Sequence, residues 1–508
     1  MAVNKIVLNN ETLIDLSADT VSEEYVAKGY SFHKRNGEIG IGTLEAASGG
    51  SSDNKLPLVV DDSAVEITES DLNGATKIRQ YAFYYNTGIT SIEMPSSVAS
   101  IDKYAFYNCT GLKKAVLSNG ITSLGNYAFY GCKVLENANI PEELTSLGTN
   151  VFQGCEALTS AVIPEGITQL PSNTFQGCKS LTSITLPDTL TSIGTYALSS
   201  CKKLKSIYIP RSVTSIGATA FGYCDLLESI DIPYGVTKIG DNTFYNCYAL
   251  RDMIIPASIT EFGKSIFYNN YVKNVYITDL DAWMDITFGG SDSNPLRGTN
   301  GGNLYVNGEL LQEFTVPEDR TSLKDYVFQG CSFTSVHVHG GVTSIGVNVF
   351  NLCKKLTSVT LDSGVTIISN NMFYGCSALT DISLPDTLTS IGTYAFRDCT
   401  SLTSVTLPDS VTTIGANAFQ SCPALTSINI PAGVTKINSN TFDAAYALTL
   451  IDFRAATAVP TLANTNAIEK NTGLQIVVPD ALYDSWKAAT NWSSFASYIF
   501  KASEVIIG

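Results

Sequence analysis

The chain has 508 residues, 44% of them hydrophobic and 15% charged, so it carries ample apolar material for a core and lacks the composition of a disordered chain. A formal net charge of −16 argues against the clustered Lys and Arg on which phosphate-backbone binding rests, and nucleic acid is not expected as a partner. The first twenty residues hold no basic start followed by an apolar run and no stretch reaches the length of a membrane span, so neither an export signal nor membrane insertion is expected.

Residues 1–45 contain no repeat and read as a separate small module. A flexible linker over 46–60 follows, on the Gly/Ser-rich composition of 46–55. From residue 61 a 23-residue unit takes over, with the pattern Ile-Gly-x-x-Ala-Phe-x-x-Cys-x-x-Leu-x-x-Ile-x-Ile-Pro-x-x-Val-x-x, as in 193–215 and 391–413. Its aromatic position runs Phe83, Phe106, Phe129, Phe152, Phe175, Phe221, Phe244 and Phe267, with Leu198 standing in once. It resumes at Phe328, Phe350, Phe373, Phe396, Phe419 and Phe442. About fifteen units result, well above the number a solenoid needs for stability.

Within a unit, Ile184-Thr185-Leu186 alternates apolar and polar and stops at Pro187, which predicts a short strand. Stacked in parallel, such strands place Ile184 and Leu186 over Ile207 and Ile209, about 4.8 Å away. The Ala-Phe-x-x-Cys stretch predicts a short helical turn that drives the ring inward. Gly194, Gly217, Gly240, Gly263, Gly346, Gly392 and Gly415 are expected where the coil turns a corner and needs permissive backbone angles.

The repeat divides into a block over 61–277 and a second over 304–453, separated by an insertion at 278–303 that reads as a variation of the solenoid. Asn307-Gly308 has the composition of a two-residue hairpin turn. Residues 454–508 read as a C-terminal cap, with a last strand at Leu474, Ile476 and Val478 and an amphipathic helix from Pro479-Asp480 carrying Tyr483 and Trp486.

All twelve cysteines occupy one repeat position, which predicts a buried, reduced ladder; disulfides would need varied spacings and zinc would need close pairs. His337 and His339 alternate along a strand and are expected on the same outer surface, without enough neighbouring ligands for a metal. No nucleophile elbow, phosphate loop or zinc-helix motif is present, so catalysis, cofactors and metals are not expected.

What remains is the outward strand face, whose row runs Asn139, Thr185, Tyr208, Asp231, Tyr276, His337, Thr360, Ser383, Thr406 and Asn429. Flanking Thr-Ser pairs offer hydroxyls for weak contacts, or simply solubilise a sheet of good β-propensity. Tyr208, Tyr234 and Tyr276 are the candidate anchors, with Asp231, His337 and Thr360 beside them, because tyrosine is enriched at binding hot spots.

Over roughly 76–453 these units resemble BspA-type leucine-rich repeats of bacterial and protist surface proteins. That resemblance implies a leucine-rich-repeat solenoid of parallel short strands and a binding or structural role. In the first module, Leu13-Ile14-Asp15-Leu16, Asp19-Thr20-Val21, Ala27-Lys28-Gly29-Tyr30, His33 and Gly37 to Gly42 resemble an N-terminal segment of phage and prophage head or tail appendage proteins. Together they imply a virion fibre that docks on other virion proteins through residues 1–45 and offers its solenoid to a host surface protein or glycan, with avidity from many copies. The alternative is a secreted surface adhesin, and either is compatible with a homo-oligomer.

Overall fold

In the computed structural model the 23-residue period becomes one coil of a repeating stack, and most coils contribute two short strands and a tight turn. The structure describes residues 65–72, 74–298 and 301–505, together with the backbone of 3–8, 11–15, 31–34 and 39–41. Two compact units divide the chain: residues 1–250 with 266–270, and residues 251–265 with 271–508. The described residues make about 19 turns with little helix, more than the aromatic column alone indicates.

In the first unit, strands Val3–Leu8, Glu11–Asp15, Ser31–Lys34 and Ile39–Ile41 form a four-stranded antiparallel sheet with Val3–Leu8 and Ser31–Lys34 central. The expected linker 46–60 lies outside the described residues. The solenoid then runs as two parallel ladders. One joins Ile89–Glu93, Lys114–Val116 and Asn137–Ala138, with Ser91 opposite Lys114 and Ile92 opposite Ala115. The other joins two-residue strands such as Ser100–Ile101, Ser123–Leu124 and Ser146–Leu147. This second ladder falls on the Ser-Ile-Gly stretch, where the sequence pattern indicates only a corner.

The Ala-Phe stretch is not helical. Alternate N–H groups leave the coil altogether: Tyr104 donates to Asn126, Phe106 to Ala128 and Asn108 to Tyr130 on the next coil, while Ala105, Tyr107 and Cys109 close three-residue turns on Asp102, Tyr104 and Phe106. Coil-to-coil bonds therefore replace the i→i−4 bonds a helix would need. The geometry requires a left-handed residue two places before and two places after most of the aromatic positions, as at Tyr104 (φ 61°) and Asn108 (φ 56°). Asn and Gly suit such angles; a β-branched residue does not. Thr219 (φ 56°) is such a residue, where Asn150, Asn173 and Asn242 serve other coils. Thr219→Asn is accordingly expected to raise the urea midpoint of the first unit, by about 1 kcal/mol of relieved strain; an unchanged or lower midpoint would show the angle to be unstrained.

The corner glycines have a different purpose from the one their composition suggests. None of Gly194, Gly217, Gly240, Gly346, Gly392 and Gly415 has positive φ. What they provide is room: a Cβ on Gly217 would lie 2.5 Å from the Thr195 nitrogen of the previous coil, and one on Gly415 2.4 Å from that of Thr393.

Inside each unit the phenylalanines form columns. Ring centroids of Phe83, Phe106, Phe129, Phe152 and Phe175 are 4.8 to 5.6 Å apart at interplanar angles of 10° or less. In the second unit Phe350, Phe373, Phe396 and Phe419 repeat the arrangement at 5.9, 5.5 and 5.2 Å. Most of the cysteines sit behind this column and donate the thiol to the carbonyl of the aromatic position one coil earlier, Cys132 to Phe106 at 3.1 Å and Cys376 to Phe350 at 3.2 Å. All twelve are buried and unpaired.

The segment 278–303 is built into the second unit. Helix α1 (Leu280–Met284), capped by Asp279, buries Trp283, whose indole N–H donates to the Val327 carbonyl at 3.0 Å. Arg320 holds it from outside, bonding Asp285 at 2.8 Å and Asp281 at 3.1 Å. Strand Thr287–Phe288 pairs with Glu261–Phe262, and Asn303–Val306 with Asn274–Ile277, so both ladders continue through it. Asn307 (φ 51°) and Gly308 (φ 87°) then turn the chain into a short antiparallel strand, Glu309–Leu310. At the C-terminal end Gln475–Val478 pairs with Leu450–Asp452, and Ile499–Lys501 adds one more rung. Helix α2 (Tyr483–Ala488) brings Trp486 against Phe453 and Trp492, with centroids 5.0 and 5.5 Å away, which closes the apolar end.

Candidate binding surface

On every coil the residue between the two inward apolar side chains of the first ladder faces away from the core, as strand alternation demands. In the first unit this row includes Asn139, Val162, Thr185, Tyr208 and Asp231, spaced by the repeat. Val162 is 61% and Tyr208 66% exposed, both flanked by buried neighbours. Asn139 spends its amide on the chain itself, accepting from the Leu117 N–H and donating to the Leu117 carbonyl, both at 2.8 Å. Tyr234 is 74% exposed but lies outside the row, in the turn after Pro233.

In the second unit the row opens with Ile254, Tyr276 and Tyr305 in register. The tyrosine rings stack at 4.8 Å. Burial in that stack, then the Asp252 carboxylate and Tyr305, hold the Tyr276 phenol above its ordinary pKa. A polar ladder runs beside it: Asn274 donates to Asp252 at 2.7 Å, Asn303 to Asn274 at 2.9 Å, and the Ser332 hydroxyl to Asn303 at 2.9 Å. Further along, Thr315, His337, Thr360 and Ser383 follow in register, and His337 Nε2 lies 3.0 Å from the Asp362 carboxylate. Asn429 occupies its amide on Leu407, as Asn139 does on Leu117.

Two expectations need correction. His337 and His339 do not share a surface: the strand ends at Val338, the chain turns, and His339 is buried with Nε2 on the Pro317 carbonyl and Nδ1 accepting the Gly341 N–H. The threonines beside the strands are not free donors either. Thr182, Thr357, Thr403 and Thr426 each donate to the backbone carbonyl of the equivalent threonine one coil earlier, at 3.0 to 3.2 Å. Their hydroxyls brace the stack.

Residue-type reasoning passes over Val162 and Ile254, because aliphatic side chains between two core positions look like more core, and Tyr305, because the insertion before it hides its phase. Counting the strand phase would have placed the first two outside. Among the described residues no group of three or more His, Cys, Asp and Glu could hold a metal ion, and no helix is long and apolar enough to cross a membrane. The arrangement offers a polar strand face with a few exposed apolar side chains.

A family model described as the BspA type leucine rich repeat region matches residues 76–179, 168–292, 302–392 and 366–469. Among solved structures, a leucine-rich repeat protein from Bacteroides ovatus is similar at 23% identity and a TM-score of 0.50, over 84% of this chain and 94% of that one. A leucine rich cell surface protein from Faecalibacterium prausnitzii is similar at 24% identity and a TM-score of 0.30, over 76% and 84%. The pneumococcal vaccine antigen PcpA is similar at 16% identity and a TM-score of 0.36, over 86% and 85%. No curated protein sequence matches the chain.

Proposed function

Because the chain belongs to the BspA-type leucine-rich-repeat family, we propose that it is a non-enzymatic binding protein of a bacterial surface, an adhesin that meets partner proteins through its outward strand row. The observation that supports this reading is the exposure of Val162 and Tyr208 in the row of the first unit, and of Ile254 in that of the second, each row being held mostly by polar side chains. A solvated sheet gains only β-propensity from such a side chain, which threonine supplies as well, whereas a contact surface also gains anchors. Asp231, Thr360 and the His337–Asp362 pair supply polar contacts around them.

The test uses the labelled full chain on epithelial monolayers and on immobilised extracellular-matrix proteins. Val162→Thr with Tyr208→Thr, and separately Ile254→Thr with Tyr276→Thr, keep β-propensity and remove the anchors. Binding is expected to weaken by roughly tenfold in at least one pair; equal binding by both would exclude the strand face.

A virion appendage is the second reading, and it rests on the phrases within residues 1–45. Mass spectrometry of separated phage particles and cell envelopes decides between the two. Recovery with the envelopes is expected, and enrichment in intact particles would replace the adhesin by the appendage.

A further inference from the structure

The turn face of the first unit carries a second surface, independent of the strand row. Three positions define it on each coil: two before the aromatic position, one after it and two after it. The first of these carries a left-handed residue on each of the first eight coils, Tyr81 to Asn242. Tyr81, Tyr104 and Tyr127 stack at 5.3 and 5.0 Å, and Tyr84, Tyr107 and Tyr130 at 5.1 and 4.6 Å, with the two columns meeting edge to face. The columns continue through amides, Gln153 donating to Gln176 at 2.6 Å, and return to tyrosine where Tyr245 and Tyr268 stack at 4.9 Å. Beside them Asn269 donates to Asn246 at 3.0 Å. Tyr196, Tyr223 and Tyr268 are each at least 40% exposed.

Over the nine coils from Phe83 to Phe267 the first unit holds 26 of these residues, and all are uncharged: tyrosine, asparagine, glutamine, serine, threonine and glycine. The chain-wide charged fraction of 15% would put about four charges among them. The fold does not impose this, since the same positions of the second unit hold Arg397, Asp398 and Asp443. Nor does the backbone ask for tyrosine. A bulky side chain at φ near +60° is disfavoured, and Asn, which suits that angle, serves at 150, 173 and 242. Tyrosine at 81, 104, 127 and 196 is thus held against local preference. Charge appears just beside the strip, where Lys179 pairs with Glu156 at 2.9 Å and Lys202 with Asp225 at 3.1 Å.

Tyrosine with Asn, Ser and Gly is the composition of rigid recognition surfaces: rings give area at small entropic cost, and amides and hydroxyls give adaptable hydrogen bonds. Nine coils at about 4.8 Å make a strip about 38 Å long and only one turn wide. A globular protein contact needs a broad patch, about 800 Å² per partner; a narrow, periodic, uncharged strip matches an extended polymer of uncharged, hydroxyl-rich units. We propose that the turn face of the first unit, centred on the stacked tyrosines 81–130, binds a linear neutral polysaccharide lying along the coil stack.

The full chain is run in native gels containing dextran, laminarin, mannan, hydroxyethyl cellulose or arabinoxylan, with heparin and polygalacturonate as charged controls. Retardation by at least one neutral polymer is expected, equal at low and high salt because no ion pair is involved. Tyr81→Asn with Tyr104→Asn and Tyr127→Asn, and separately Tyr84→Gln with Tyr107→Gln and Tyr130→Gln, install residues that the same positions hold in neighbouring coils. Either triple variant should weaken retention by roughly tenfold or more, with cooperative unfolding kept. The strand-row variant with Val162→Thr and Tyr208→Thr should be retarded as the parent is, which separates this site from the adhesin reading. No retardation by any neutral polymer, retardation by the charged controls alone, or unaltered retention in both folded triple variants would overturn the proposal.

Discussion

Phe129→Ala is expected to cost the first unit about 3–5 kcal/mol, the range for removing a fully buried aromatic ring. Phe129 has no exposed surface, and its ring lies between those of Phe106 and Phe152 at 4.9 and 5.6 Å. Its backbone is also committed, donating to Val151 on the next coil and accepting the Cys155 thiol at 3.2 Å. The loss should be local, because each coil packs only on its neighbours and stability is close to a sum of coil and interface terms. Hydrogen exchange should therefore accelerate across the coils of Phe106, Phe129 and Phe152 and stay at parent rates near Phe221 and Phe244. Phe129→Leu should cost far less, about 1 kcal/mol, since Leu198 fills the same position in its own coil with no exposed surface. A uniform loss of protection through the unit, or a penalty below about 1 kcal/mol for alanine, would show that the column is not what holds the coils.

The column was legible because its residues repeat at one spacing and are of one kind. Phe, Cys and the Ile-x-Ile pair each occupy a single phase, and burial follows from phase. The parts that were not legible are those where one residue type serves two physical purposes. Glycine at 217 and 415 reads as a conformational device but leaves space for the backbone of the previous coil. Threonine at 182 and 403 reads as a surface hydroxyl but donates across coils. Tyrosine at 104 reads as an ordinary surface aromatic, and nothing in its type announces φ of 61°. The second ladder escaped because a two-residue strand such as Ser123–Leu124 is shorter than one full alternation. His339 was misplaced because alternation holds only while the strand lasts, and this one ends at Val338. Of the candidate surface, Tyr208 and Tyr276 follow from phase and residue type together, whereas the stacking of Tyr276 on Tyr305 depends on strand Asn303–Val306 pairing with Asn274–Ile277 across the insertion.

The twelve cysteines should be silent toward a thiol reagent in the native chain and should all react once it is unfolded, in equal number with or without reductant. Reaction needs a thiolate at the surface, and both conditions fail here. Every thiol is buried, and burial pushes the pKa of Cys224, Cys353 and Cys422 up to about 12, against the partial relief each draws from a backbone hydrogen bond. At pH 8 a group with pKa near 12 is ionised in roughly one molecule in ten thousand. The sulfur is moreover engaged as a donor, Cys224 to the Leu198 carbonyl at 3.3 Å and Cys353 to Phe328 at 3.3 Å, so ionising it would also forfeit that hydrogen bond and set a thiolate against a carbonyl oxygen. Raising the pH should accelerate labelling only as fast as coils open, since opening and not ionisation of the buried form supplies the reactive species. Mass mapping of the first thiols to react would then rank the coils by their opening free energy, and in Phe129→Ala the reaction should begin at Cys132 and Cys155. Fast labelling of many thiols in the native chain would mean that the ladder is open to solvent, and fewer than twelve in denaturant without reductant would mean that some are paired.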